Sequence, residues 1–204
     1  IPPLKIGLQE ALLDSKKSGD FVYRHPQTGL HILASRPEKI PGPGLRALTS
    51  VANSTDYKFV FIDSPPGITE EVGNIIGACD SVVVITTPEI ASVSSAARIA
   101  TLSREKGKDV LGIVMNRVRG VSYELRAREV ESSTDEEVIC QIPEDASASA
   151  SLAARIPLVL YAPSSRASRQ VRKAASRIIG GNSIVSEPSF YESFMASVRR
   201  RFRF

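Results

Sequence analysis

The chain has 204 residues, 42% hydrophobic and 24% charged, which suits one α/β domain with a sizeable core. The net charge of +4 conceals a division: residues 1–150 carry 16 Lys/Arg against 20 Asp/Glu, and residues 151–204 carry 10 against 2. A basic carboxyl end behind a mildly acidic body points to an anionic partner for that end. The two cysteines, Cys79 and Cys140, form no CxxC pair, so neither a structural zinc site nor a cluster scaffold is suggested, and their number fits a reducing cytoplasm. No apolar run approaches the roughly 20 residues that span a bilayer, and no signal peptide opens the chain. It begins at Ile1 rather than Met, so a piece of a longer protein is expected.

In chain order, "GLHILAS" (29–35) predicts a short strand, and "PEKIPGPGLRALTSVAN" (37–53) a Pro/Gly turn into a helix. "FVFID" (59–63) predicts a strand buried on both faces, ending on Asp63 and handing over to Ser-Pro-Pro-Gly. Helix is expected over 69–80, strand over 81–89, helix over 91–108 and strand over 109–117. Helix over 123–134, strand over 136–145 and helices over 146–154 and 164–181 complete the pattern. Apolar strands alternating with helices argue for an α/β fold with a mostly parallel sheet and helices on both faces. "GGNSIVSEPS" (180–189) has linker composition, and the chain is divided into a body (1–181), a linker (182–188) and a tail (189–204).

Four short loops then fall at the carboxyl ends of successive strands, where open α/β sheets bind ligands. They are "DSPPG" (63–67), "TTPE" (86–89), "NR" (116–117) and "IPED" (142–145). Their order and spacing resembles the MinD/ParA family of P-loop ATPases over residues 4–181, the MinD branch most closely. The resemblance implies a P-loop NTPase-like fold, ATP and Mg²⁺ as ligands, and an ATP-driven homodimer. It implies a cytoplasmic protein, peripheral on the inner face of the cell membrane, that works with a regulatory protein partner to position a division or polar apparatus. Asp63 would be the carboxylate acting on Mg²⁺, with Pro66 and Gly67 in the turn that senses the γ-phosphate. Asn116 would pair with adenine, Arg117 and Pro143, Glu144 and Asp145 would flank the base, and Pro88 and Glu89 would lie near the nucleotide and the dimer face.

Plainer roles stand beside these. Asp63 and Asn116 are common turn formers, Pro88 and Glu89 suit an ordinary strand-to-helix turn, and Glu144 or Asp145 suits an N-cap for the helix at 146–154. No GxxxxGK[ST] occurs anywhere, and "PGPGLRA" (41–47) lacks the lysine and the Ser/Thr. The phosphate loop and the first strand are therefore expected upstream of Ile1, and the 204 residues alone are expected not to hydrolyse ATP.

"SFYESFMASVRRRFRF" (189–204) contains no Gly or Pro. On a helix, Phe190, Tyr191, Phe194, Met195, Val198 and Phe202 fall within one arc of about 140°. Arg199, Arg200 and Arg203 fall outside the arc and Arg201 inside it. An aromatic stripe beside a basic edge is the composition of a helix that lies on an anionic membrane surface. A rival reading, a ParA-like partition ATPase, rests on Arg166, Arg169, Arg172, Lys173 and Arg177, whose spacing gathers them into a stripe able to hold DNA phosphates. A solvated helix face is the plain alternative there, and a non-catalytic scaffold with a membrane tail is a third reading of the whole.

Overall fold

The computed structural model describes residues 7–26, 28–35 and 44–180, which divide into two units. The first comprises the chain to Val82 with Thr101–Asp109, and the second Val83–Ala100 with everything from Val110 onward.

In the first unit, three short helices share one apolar cluster: α1 (Leu8–Leu13), α2 (Leu48–Asn53) and α3 (Glu70–Ala78). Ala11, Leu12, Leu48, Val51 and Ile75 are its buried members, and Ile62 packs against them half-buried. The strand expected at 29–35 shrinks to β2 (His31–Ile32), which pairs antiparallel with β1 (Tyr23–Arg24). A tight turn forces this pairing: His25 N–H donates to Leu30 O at 2.7 Å, and Gly29 takes a φ of 69°. The buried strand expected at 59–63 needs correction. No strand forms there, and Phe59, Val60 and Phe61 are exposed, Phe61 at 73%. Apolar character alone does not make a strand; a ladder of backbone partners does, and 59–63 lacks one among the described residues.

The sheet has the order β3–β4–β5, from β3 (Ser81–Thr86), β4 (Asp109–Val118) and β5 (Val138–Pro143). β4 and β5 run parallel, with Val114 opposite Cys140 and Val118 opposite Pro143. Successive residues of a strand point to opposite faces. Val114 packs with Ile139, Cys140 and Ala174 of α8 (Arg166–Ile178). Its neighbours Ile113 and Met115 face the other way and are only 0% and 1% exposed, so β4 is covered on both faces. On α4 (Ile90–Glu105), Val93, Ala96 and Ala100 are buried at the spacing of one helix face. Between the last strands lies α5 (Ala127–Thr134), and beyond β5 come α6 (Ala146–Ala154) and α7 (Leu158–Tyr161). Burial pushes the Cys140 thiol above its ordinary value, with Lys173 and Arg177 opposing, and its Sγ donates to Gln170 O at 3.2 Å. This cysteine is a core side chain.

Candidate functional site: the ends of β4 and β5

Asn116 and Arg117 stand near the end of β4. Asn116 is half-buried, and its Oδ1 accepts from the Arg117 backbone N–H at 3.0 Å. Its Nδ2 has no partner among the described residues, so a donor and a spare lone pair remain, the pair that suits a base edge. Arg117 has a φ of 58°, and its Nε reaches Glu144 Oε1 at 3.2 Å. Both side chains are well exposed, at 67% and 45%, so the ion pair adds little stability but fixes where the guanidinium points.

The segment after β5 is fastened to β4 and to two helices. Glu144 N–H donates to Val118 O at 3.0 Å. One carboxylate oxygen of Asp145 takes Ser147 N–H at 2.9 Å, capping α6, and the other takes Ala167 N–H in the first turn of α8 at 3.4 Å. These bonds, Ser147's backbone first, hold the Asp145 carboxyl below its ordinary value. The capping alternative is thus the observed geometry. Asn116, Arg117, Pro143, Glu144 and Asp145 come together at adjacent strand ends.

Pro88 and Glu89 occupy the turn from β3 into α4, and that turn is tied to the loop following β4. Pro88 O accepts from Leu125 N–H at 2.9 Å, and Glu89 Oε1 lies 3.4 Å from Arg119. Arg119 also donates through Nε to Glu124 at 2.9 Å, while Glu124 takes the backbone N–H of Arg119 and of Gly120, the latter at 2.7 Å. The Glu124 side chain is only 3% exposed. Burial alone would push its carboxyl up; the bonds from Arg119, Gly120 and Val121 outweigh that and hold it below its ordinary value. Sequence reasoning missed this knot and placed Glu124 inside a helix over 123–134. The helix starts instead at Ala127, because residues 119–124 are wrapped around the carboxylate. A Gly one residue after Arg119, with an acid four further on, was the available signal.

In the first unit, Asp63 ends the exposed segment and precedes a turn in which Gly67 has a φ of 97°, a region that favours glycine. Thr69 then caps α3, accepting Val72 N–H at 3.3 Å. The Asp63 carboxylate is exposed and makes no hydrogen bond or ion pair among the described residues. A free carboxylate is the hard oxygen donor Mg²⁺ takes, so the residue fits the ion in kind. Among the described residues no cluster of His, Cys, Asp or Glu could hold a metal on protein ligands alone. An ion that brings its own phosphate oxygens needs fewer. The tail residues Phe190, Tyr191, Phe194, Met195, Val198, Arg199, Arg200, Phe202 and Arg203 lie outside the described residues. Among the described residues no helix is long and apolar enough to cross a membrane.

A covered parallel sheet with polar loops joined at its strand ends defines an α/β protein whose strand ends are the place for a ligand. Residues 44–179 match the family described as ParA, NUBPL iron-transfer P-loop NTPase, and the chain belongs to this ParA family of P-loop NTPases. An uncharacterized ATP-binding protein of Methanocaldococcus jannaschii is 28% identical, covering 98% of this chain and 78% of that protein. A putative septum site-determining protein MinD of Mesostigma viride is 32% identical over 61% of this chain and 45% of its own length. Among solved structures, MinD from Pyrococcus horikoshii complexed with Mg-ADP superposes with a TM-score of 0.78 at 22% identity, over 91% of this chain and 79% of that one. The fold expected from the sequence, α/β of the P-loop NTPase kind, is the fold observed, and the likeness to MinD and ParA proteins holds.

Proposed function

We propose that the intact protein is a MinD-like ATPase that binds ATP with Mg²⁺, dimerises, and binds an anionic membrane reversibly to position a division or polar apparatus. The observation that carries this reading is the junction of β4 and β5, where Asn116 keeps a free amide donor beside the anchored 143–145 segment. In this reading residues 1–181 are the ATPase body, 182–188 a linker and 189–204 the membrane helix. Asp63 holds Mg²⁺, the turn at Pro66 and Gly67 follows the γ-phosphate, and Asn116 reads adenine between Arg117 and the Pro143–Asp145 segment. Pro88 and Glu89 face the second copy. Mg²⁺, when bound, would neutralise charge developing on the transferred phosphoryl group. The phosphate cradle is supplied from outside the 204 residues, which by themselves turn over no ATP.

Two experiments test the reading. In a protein that carries a phosphate loop upstream, Asp63→Asn abolishes ATP turnover and leaves the fold intact; turnover equal to wild type leaves Asp63 a turn former. For the membrane arm, residues 189–204 are fused to a soluble reporter and doubled by a dimerising coil, which raises effective affinity roughly 10²-fold or more. The fusion is expected to bind anionic vesicles, largely ignore neutral ones, and lose binding with Phe194→Glu, which sets a charge on the inserted face. A fusion that ignores vesicles and retards duplex DNA moves the partition reading to first place.

A further inference from the structure

One flank of α8 carries a line of cations. Ala167, Ser168 and Ala174 are buried, and Ala174 packs with Ile178 toward Val114, Ile139 and Cys140. Along that flank Arg166, Arg169, Lys173 and Arg177 recur at intervals of three and four, which aligns them along one side of the helix, and Arg177, at its end, donates to Ile139 O of β5 at 2.8 Å. All four are exposed, and no acidic residue occurs in α8. Arg169 donates to Ser164 O, and Arg172, half-buried at the side, donates to Pro163 O. Such carbonyl contacts orient a guanidinium without neutralising it. Arg177 alone is neutralised, by Glu137 at 3.3 Å. Arg166 and Lys173 form no ion pair among the described residues.

The placement works against the helix itself. The positive end of the helix dipole disfavours cations in the first turn, yet α8 opens on Arg166 and carries Arg169 there; the one carboxylate at that end, Asp145, comes from the segment after β5 and accepts Ala167 N–H. Intrinsic helix stability does not account for them.

We propose that the exposed basic flank of α8, through Arg166, Arg169 and Lys173, rests against an anionic membrane surface as a second, electrostatic contact. The inference rests on the reading of 189–204 as the membrane-binding segment. From Gly181 to Ser189 the chain spans at most roughly 29 Å, so a tail seated on lipid keeps α8 close to the surface. From Arg166 to Lys173 the stripe runs roughly 10 Å in a straight line. A straight, convex row of cations matches a planar array of headgroup phosphates.

The test uses the full chain with vesicles of phosphatidylcholine, with and without phosphatidylglycerol. Each basic residue near an anionic leaflet changes partitioning roughly fivefold. Arg166→Ser with Lys173→Ser is expected to weaken binding to the anionic vesicles roughly 10- to 25-fold and to flatten its salt dependence. Arg166→Lys with Lys173→Arg keeps wild-type binding, which separates charge from shape. Unchanged binding by the serine variant overturns the inference, and Phe194→Glu tells the two readings apart. Loss with Phe194→Glu but not with the serine variant overturns the α8 contact and leaves the tail reading. Loss with the serine variant but not with Phe194→Glu supports the α8 contact and overturns the tail reading. If the serine variant instead releases duplex DNA and leaves vesicle binding unchanged, the stripe belongs to nucleic acid and the inference fails. Absence of vesicle binding by the wild-type chain overturns both.

Discussion

Gly112→Ala is the substitution that most directly tests how the strand ends are held together. Gly112 lies within β4 at a φ of 129°, four residues before Asn116. A methyl group there would sit 2.5 Å from Ile139 Cγ2 and 2.8 Å from the Glu137 carbonyl oxygen. That carbonyl accepts the Ile113 N–H at 2.8 Å, so moving it away breaks a rung between β4 and β5. Holding a non-glycine residue in so unfavourable a conformation costs about 1–3 kcal/mol. Overpacking against the neighbouring strand adds about 1–3 kcal/mol. The combined loss is about 2–6 kcal/mol, or roughly 4–24 °C in Tm for a chain of this size. Urea and thermal unfolding of the full chain, followed by circular dichroism, measure it. A double-mutant cycle with Ile139→Ala removes the side-chain half of the clash but not the carbonyl half. The pair should therefore cost about 1 kcal/mol less than the sum of the singles. A Gly112→Ala loss below about 0.5 kcal/mol, or strict additivity with Ile139→Ala, would refute the close approach of β5 to β4 on which the site geometry depends.

Two further outcomes follow from the same region. In a protein carrying the phosphate loop, Asn116→Ala should weaken ATP relative to GTP by about 1–3 kcal/mol, the scale of an unpaired base edge; competition binding measures it, and an unchanged preference removes the base-reading role. Glu124 has a carboxyl held below its ordinary value, so it stabilises the fold above that ordinary value and loses the contribution as pH falls through the folded one. Urea midpoints of wild type and Glu124→Gln should differ most near neutrality and converge only on the acid side of the carboxylate range; a gap that widens on acidification contradicts the assignment.

The three-stranded sheet was largely legible in the sequence. Apolar runs of strand length, broken by Gly107, Arg119–Gly120 and Asp145, set β3, β4, β5 and the start of α6 within a few residues. The meeting of "NR" with "IPED" was implied by the family resemblance alone, and it comes about because both sit at carboxyl ends of neighbouring strands. What escaped depends on partners that local pattern does not name. Residues 59–63 have the composition of a buried strand, but a strand is completed by the chain beside it. Glu124 looked like a helix residue until Arg119 and Gly120 closed on it. The late start of α5 is the consequence, since a carboxylate taking N–H groups from 119 and 120 holds the chain in a turn instead of a helix. Gly112 shows no turn signal in sequence, and its need for an absent Cβ arises from its φ of 129° and from Glu137 and Ile139, 25 and 27 residues away.

The polar groups of the candidate site residues and their neighbours divide into those spent on the fold and those left over. Asp145 spends both oxygens on the starts of α6 and α8, Glu124 spends its carboxylate on its own loop, and Glu144 and Glu89 each meet an arginine. Asn116 Nδ2 and, in the first unit, the Asp63 carboxylate remain without partners among the described residues. The backbone supports the same division. Among the described residues, three non-glycine residues have positive φ. Asp135 and Arg155 each close a helix, where a left-handed residue is ordinary. Arg117 closes none; it lies near the end of a strand, where such a conformation costs about 1–2 kcal/mol. Its exposed pair with Glu144 is too weak to account for that cost. What the conformation does is aim the Arg117 N–H at Asn116 Oδ1, leaving the amide fixed and its other nitrogen open. Strain that persists beside an unsatisfied, immobilised amide is not explained by the stability of β4, and it fits the proposal that a ligand reads that amide.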